Sequence, residues 1–526
     1  MPRILINEEN NTSAGTPGRY GNYSVLITGY MGTPDPTKGK VVEPDENGVY
    51  EFSSAGEFLA TIGTAPIEKK DSANNIAEYH YGNSMAEELL NLGYQVIYRV
   101  IDRVSDMDSE TFWAIFKDKA SYDFRFISHG LLETCYDTAE HTRLYNRLKE
   151  LNADVEKLAD IISEIDEANK NKTEAEKKAL YWAEIQKATG YFKSSTGNGY
   201  GNYDTVAANL IAADEEDAPE VAAQKELIKE HNEKSFTIDV FNNINGHIAK
   251  LASYVATDDP TVIPGRGDCT ALIELDEDIY CEANPSKRPE ELIAEGISSM
   301  DTITKAEGKY CAMTVPSVYY KSGSTTKKMP GAFHYLACFM NSLQSGFAEW
   351  YAAAGYTRGV SSSIIDHTSV KLGEIAINAL EPRKMLADGP KFACNVIANF
   401  RGSYYLWGNR TAHLLDENDL TADHFLNIRQ LCSTIKKQLY VACRRFTFDP
   451  NSDTLWINFV NAITPTLDAM KADQGIGDYR IVKEATDKKA TLKARIRIIP
   501  IEAVEDFDIT VSLEDSFGGT AVTAEG

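Results

Sequence analysis

The period of apolar and polar positions changes along the chain, and each change marks an element. Tyr23 to Tyr30 (Tyr-Ser-Val-Leu-Ile-Thr-Gly-Tyr) reads as a strand, which Gly32-Thr33-Pro34-Asp35-Pro36 breaks. Ser84-Met85-Ala86-Glu87 is a capping box opening a helix that Gly93 ends, and Gln95 to Val100 is the next strand. Tyr122 to Gly130 predicts another strand. Further on, Phe241 to Ala256 reads as helix, Asp268 to Leu275 as a buried strand and Pro289 to Met300 as helix. Lys309 to Val318 then reads as strand, and a helix runs from Met329-Pro330-Gly331-Ala332 through Met340. Strands separated by helices imply sheets layered with helices, a mixed α/β fold.

The segment after Tyr122–Gly130 has a different period. Leu144, Leu148, Leu151, Val155, Leu158, Ile162 and Ile165 follow the four-three spacing of a coiled-coil seam. Asn169 to Lys172 interrupts it, Thr173-Glu174-Ala175-Glu176 is a second capping box, and Gly190 closes that helix. The seam covers about three heptads, so a helical hairpin packed within one chain is favoured over a coiled coil between chains.

The C-terminal part is the most legible. Gly402 precedes the run Ser403-Tyr404-Tyr405-Leu406-Trp407, which reads as a short buried strand that Gly408-Asn409 ends. A helix is predicted from Thr421 to Phe446, with Ile428, Leu431, Ile435, Leu439 and Ala442 on one face. A second helix starts near Ser452-Asp453 and carries Leu455, Trp456, Phe459, Val460 and Ile463, with a restart or kink at Thr464-Pro465. Leu492, Ala494, Ile496 and Ile498 alternate with basic residues, and Phe507, Ile509, Val511 and Leu513 alternate with Asp508, Thr510, Ser512 and Glu514, giving a terminal pair of strands. At the other end, Ile4-Leu5-Ile6 is one short strand on a polar linker, Glu8 to Gly18.

The 526 residues, 43% hydrophobic, suffice for several domains with sizeable cores. The net charge of −25 argues against gripping nucleic acid through its phosphates, which needs clustered Lys and Arg. No stretch approaches the ~20 apolar residues of a membrane span. The apolar run at Ile4 is too short for a signal peptide, so no standard export route is expected. None of the eight cysteines forms a Cys-x-x-Cys pair, which favours reduced, mostly buried thiols.

Catalytic signatures do not survive inspection. Gly32 to Lys40 ends in Gly-Lys, but Val41 stands where a phosphate-binding loop needs Ser or Thr. Gly197-Asn198-Gly199-Tyr200-Gly201 lacks dinucleotide spacing, and Arg266-Gly267-Asp268 is a chance match to an adhesion motif. Glu274, Asp276, Glu277 and Asp278 end a strand, where α/β proteins place sites, but such acidic ends usually are solvated turns. No catalytic residue, cofactor site or metal site is expected.

The stretch Trp407-Gly408-Asn409-Arg410-Thr411, a helix containing Arg, the loop Phe448-Asp449-Pro450-Asn451, Leu455-Trp456 opening the next helix and a terminal pair of strands occur in one order. That order resembles the core of contractile tail sheath proteins of bacteriophage tails and related injection machines. Val25 to Gly29, Ser53 to Gly63, Gly93 to Val100, Asp268-Cys269-Thr270-Ala271-Leu272 and the Pro330 turn look like earlier segments of the same family.

The resemblance implies a multidomain α/β subunit with a sheath-like core, exchanged terminal β-strand arms and an inserted helical hairpin, the insertion spanning about 138–235. It divides the chain into an arm (1–20), a small α/β domain (21–110), an outer α/β domain (111–395), a C-terminal core (396–502) and a second arm (503–526). It implies hexameric rings stacked around an inner tail tube, contraction that drives the tube through a host envelope, and a place in the virion tail after assembly in the host cytoplasm. Partners would be other copies of the chain, the tube protein, and baseplate and tail terminator proteins, with no direct nucleic acid and no membrane insertion.

Ile4, Leu5, Ile6, Phe507, Ile509, Val511 and Leu513 would be the exchanged strands. Arg429, Lys436, Lys437, Arg444 and Arg445 are candidates to face the tube, and Trp407, Gly408, Arg410, Thr411 and Trp456 form the core motif, with Arg410 read as a buried or interface arginine. The alternatives are an α/β enzyme whose site is not recognised, and another self-assembling shell protein of surface-layer or capsid type.

Overall fold

A computed structural model describes residues 23–70, 76–133, 170–171, 240–254, 264–277, 288–300, 302–360, 365–380, 393–413, 421–487, 490–501 and 503. The N-terminal arm, the C-terminal arm apart from Ala503, the heptad seam and nearly all of the 138–235 insertion lie outside the described residues.

The strands are β1 (Ser24–Tyr30), β2 (Val49–Phe52), β3 (Glu68–Lys70), β4 (Ile76–Tyr79), β5 (Gln95–Ile101), β6 (Phe126–Ser128), β7 (Thr270–Ile273), β8 (Cys311–Val315), β9 (Val318–Ser322), β10 (Thr325–Met329), β11 (Ile365–Thr368), β12 (Asn395–Phe400), β13 (Ser403–Trp407), β14 (Ile476–Glu484) and β15 (Lys493–Pro500). Eight of them form one sheet in the order β13-β12-β8-β7-β6-β1-β5-β2. The middle six pair in parallel, and antiparallel β13 and β2 close the two edges. Parallel strands are covered on both faces, so they read as continuous apolar runs, as in Ser24–Tyr30 with every residue buried.

Helices cover each face. Met85 and Leu89 of the Gly82–Asn91 helix, Phe58 of Ala55–Thr61, and Phe333, Leu336 and Phe339 of Gly331–Gln344 pack on one side with Val25, Ile27 and Ile397. Trp113, Phe241, Ile244, Ile248, Ile293, Ile297 and Ala376 pack on the other with Leu26, Ala271 and Met313. The expected mixed α/β fold with a helix-layered sheet is therefore present. The boundaries expected at 110 and 395 each separate strands that this sheet joins.

Several elements differ from expectation. The Ser84 capping box is not used: the helix begins two residues earlier at Gly82, whose N–H is accepted by His80 Nδ1 at 3.0 Å. The strand expected over Lys309–Val318 is two strands in different sheets, because Pro316 between them carries no N–H for a ladder. Pro465 lies inside one unbroken helix, Asp453–Ala472, rather than at a restart. Pro465 and Asn461, whose carbonyl loses its partner, are both exposed, so water can meet that carbonyl. The cap at Ser452 holds, its side chain accepting from Leu455 N–H.

The largest surprise is β14. It pairs antiparallel with β15 along its length, Tyr479 opposite Ile498 and Ile481 opposite Ile496. The expected partner, residues 507–513, lies outside the described residues.

Candidate functional site

The turn after β13 is a fastener between the sheet edge and the C-terminal helices. Asn395 at the start of β12 donates from Nδ2 to Met313 O and Arg410 O, both at 2.9 Å, and its Oδ1 accepts the Arg410 N–H at 2.7 Å. Gly408 must be glycine for this approach, since a Cβ there would lie 2.8 Å from Asn395 Oδ1 and 2.9 Å from its Cα. Asn409 continues the chain of bonds. Its Oδ1 accepts from Asn427 N–H at 3.0 Å and its Nδ2 donates to Asn427 Oδ1 at 2.7 Å, while Asn427 Nδ2 reaches Trp350 O at 3.1 Å. Thr411 donates to the Asp423 carbonyl, and the Arg410 guanidinium lies 4.9 Å from the Phe425 ring centre. Arg410 is 7% exposed and Thr411 is 1% exposed, so the motif is internal to the subunit.

Trp407 is half-buried rather than buried, because β13 is an edge strand. Tyr404 and Leu406 point into the core, while Tyr405 and Trp407 lie on the other face with Phe400, under Tyr356. Trp456 is likewise half-buried, against Phe459.

The helix Leu426–Arg445 meets the N-terminal ends of β6 and β7 through a polar seam. Arg125, wholly buried, donates to Gln430 Oε1 at 3.3 Å and to Thr434 Oγ1, with Glu349 at 3.8 Å. Gln430 Nε2 donates to Thr270 Oγ1 at 2.9 Å. Lys436 Nζ donates to Gly267 O at 2.9 Å, and Lys437 Nζ to Phe124 O at 2.9 Å and to Asp123. The Arg429 guanidinium lies 4.5 Å from the Tyr310 ring centre. Arg266 pairs with Asp268 at 3.1 Å and donates to the carbonyls of Phe116 and Tyr122. Burial alone would raise the Asp268 pKa, but Arg266, with Lys437 and Lys119, holds it well below the carboxylate range.

The five cations proposed to face a tube thus divide. Arg429 (2% exposed), Lys436 (6%) and Lys437 are turned inward onto the subunit's own carbonyls, carboxylates and aromatic rings. Arg444 and Arg445 stand exposed in the last turn, where cations also complement the helix dipole.

The acidic strand end is not a solvated turn either. Glu274, Asp276 and Glu277 are each 2% exposed. Glu274 accepts the Ala332 N–H at 2.9 Å in the first turn of the Gly331–Gln344 helix, and burial, with Glu277 nearby, raises its pKa well above normal. Lys328 bridges Glu133 at 2.8 Å and Glu277 at 3.4 Å. Nothing in the local pattern could reveal these partners, which come from β10 and from the next helix. Asp278 lies outside the described residues. Among the described residues no group of His, Cys, Asp or Glu is placed to hold a metal ion, and no helix is long and apolar enough to cross a membrane.

The hairpin β14–β15 has one exposed face and one packed face. Its inner face, Tyr479, Ile481, Ile496 and Ile498, packs on Leu431, Ile435, Leu467, Met470 and Trp350. Among the described residues each of its strands pairs only with the other, so both outer edges present unpaired backbone groups.

No family model matches the sequence, and no curated protein matches it. Solved structures that align along nearly the whole chain include chains of contractile injection systems. A chain of the anti-feeding prophage baseplate, 6-fold symmetrised, aligns over 98% of this chain and 99% of its own, at 10% identity and a TM-score of 0.49. A chain of the same particle's baseplate in its contracted state aligns over 98% and 99%, at 14% identity and a TM-score of 0.47. A chain of the sheath complex of an extracellular contractile injection system, PVC, in its contracted state aligns over 98% of both chains, at 10% identity and a TM-score of 0.45.

Proposed function

We propose that this chain is the structural subunit of a contractile tail sheath, polymerising as stacked hexameric rings around an inner tube and contracting to drive that tube through an envelope. The order of motifs from Trp407 to the C-terminal strands supports the reading. The observation that carries it is the hairpin β14–β15, a two-stranded sheet with both edges open among the described residues, seated on the C-terminal helices and followed by an apolar-alternating segment of sequence. Open edges are templates for strand addition, in which main-chain hydrogen bonds give affinity. Ile4–Ile6 and Phe507–Leu513, on polar linkers, are the segments a neighbour would supply. Linked this way, bodies can rotate while strands stay paired, and contraction is a switch between two packings of rigid bodies.

Contact with the tube is assigned to Arg444 and Arg445, the exposed pair. Exposed charge pairs contribute ~0–1 kcal/mol each, which suits a tube that must be released.

Negative-stain electron microscopy of the purified chain, alone and with its cognate tube, tests this. Tubes or stacked rings of uniform width are expected, and deletion of residues 1–18 or 503–526 should abolish them. A monomer that also fails to coat the tube overturns the reading.

A further inference from the structure

The outer face of the hairpin β14–β15 carries charge that nothing in its own chain meets. Arg480 on β14 stands directly opposite Arg497 on β15, and both are exposed. Like charges directly opposite across strands repel, so the pair costs the lone subunit stability. Among the described residues neither arginine is in an ion pair, while the acids of the same face are taken: Asp478 by Lys471 at 2.7 Å, and Glu484 by Lys493 at 3.0 Å. Val482 and Ile499 share this face, 37% and 52% exposed, and Ile501 follows it, 49% exposed. An exposed apolar strip beside arginines is the make-up of a protein interface.

A patch of the opposite charge lies at the β2 edge of the eight-stranded sheet. Val41, 46% exposed, leads through Glu43 and Glu46 into β2, and Glu51 is on the strand itself. All three glutamates are exposed, and among the described residues none is in an ion pair. The remaining charges of this loop are used locally. Asp45 accepts the N–H groups of Asn47 at 2.8 Å and Val49 at 2.9 Å, while Lys38 lies by Asp35 and Lys40 by Glu57. Other runs of acid carry their own cation: Glu87 and Glu88 have Lys327, and Glu290 and Glu291 have Arg288.

We propose that the outer face of β14–β15 in one copy docks on the β2 edge of another copy, with Arg480 and Arg497 meeting Glu43, Glu46 and Glu51 around an apolar centre. The inference rests on the self-assembly part of the reading above. A second copy is the partner because each chain carries both halves, an arginine-rimmed apolar strip and a glutamate-rimmed one, and leaves both without a partner. The halves differ, so the contact is head to tail: each copy keeps one free half, and copies add in an open series or a ring. Exposed charge pairs are individually weak and screened by salt, so such a contact can be broken and remade as bodies repack.

The test uses full-length chains and sedimentation velocity, alone and with the cognate tube. Arg480→Glu with Arg497→Glu, and Glu43→Lys with Glu46→Lys and Glu51→Lys, should each weaken self-association by about tenfold. Wild-type association should itself weaken as salt is added. An equal mixture of the two variants should regain wild-type association. The reversed face of one then meets the reversed edge of the other, and the unreversed face and edge still match. Where a reversed variant does not fold, Arg497→Thr gives the second reading. It removes the repulsion across the strands, so it should raise the melting temperature of the dilute monomer while weakening association.

Wild-type association in either reversed variant, a mixture no stronger than its separate components, or a wild-type chain that is monomeric with and without the tube overturns the inference. So does a basic-face variant that self-associates as the wild type does yet no longer coats the tube, which marks that face as a tube contact. Hollow tubes of uniform width formed by both reversed variants overturn it and leave the sheath reading standing. A chain that associates through these charges yet never coats a tube removes the sheath reading and leaves this inference standing.

Discussion

Replacing Lys436 separates a cation that holds the subunit together from one that touches a partner. Its ammonium donates to Gly267 O at 2.9 Å, lies 5.3 Å from the Tyr310 ring centre and is 6% exposed. Lys436→Met keeps the apolar stem and removes the charge. It forfeits a charge-assisted hydrogen bond worth ~1.5–3 kcal/mol and a buried cation–π contact, offset in part by the desolvation the ammonium no longer suffers. A net loss of ~2 kcal/mol is expected, which is about a 30-fold rise in local opening of the helix Leu426–Arg445. Lys436→Glu places a carboxylate beside the Gly267 carbonyl and should cost ~3–5 kcal/mol, the range for breaking a buried charge arrangement. Hydrogen exchange followed by mass spectrometry measures both, with peptides over 426–437 compared with peptides over 453–472. Faster exchange confined to the first set supports the seam. Unchanged exchange in Lys436→Glu, together with loss of tube coating, would refute the reasoning and return this lysine to the partner-facing set.

Gly408→Ala should lower the denaturation midpoint by the equivalent of ~1–3 kcal/mol, because the new methyl group meets Asn395 at 2.8–2.9 Å and the whole Asn395–Arg410 turn must shift; an unchanged midpoint would show that the turn is slack. Stability should fall as pH drops below about 6.5 toward 4, since burial lowers His80 to about 3 and His129 to about 4, each with Nδ1 accepting a backbone N–H that a protonated ring could not accept. The unfolded chain then binds more protons than the folded one, so the slope of stability against pH is positive in that window; urea titrations at both ends check it, and a flat profile would count against neutral buried rings. Charge reversal at both Arg444 and Arg445 should reduce co-sedimentation with the inner tube while costing only the ~1–2 kcal/mol that two charges at a helix C-terminus are worth, and undiminished co-sedimentation would remove these residues from the tube contact.

The parallel sheet was legible because its strands are buried on both faces. Runs such as Val25-Leu26-Ile27 need no partner to be recognised, and the helices between them carry their own apolar stripes. The β14 strand was not legible for the opposite reason. Gly477 and Asp478 interrupt its start, Val482 breaks its alternation on the exposed face, and only the pairing with Ile496 and Ile498 shows which side is inward.

The charged residues of the helix Leu426–Arg445 show the same limit in another form. Periodicity places Ile428, Leu431 and Ile435 on one face and so assigns Arg429, Lys436 and Lys437 to solvent, because lone lysines and arginines are rarely buried. In the folded chain that second face is also covered, by a seam whose acceptors are Gly267 O, Phe124 O and the Asp123 carboxylate. Those partners are more than 160 residues away in sequence, and two of them are backbone carbonyls, which leave no mark on a sequence. The helix meets Leu467, Met470 and the strands β14 and β15 through Leu431, Ile435 and Leu439, and its last turn, beyond these contacts, leaves Arg444 and Arg445 exposed. Whether a cation on such a helix holds the subunit together or meets a partner is thus decided by how far along the helix the body extends. That length is a tertiary quantity: the inward-facing cations end at Lys437, one turn before the first exposed position of the helix, Val441.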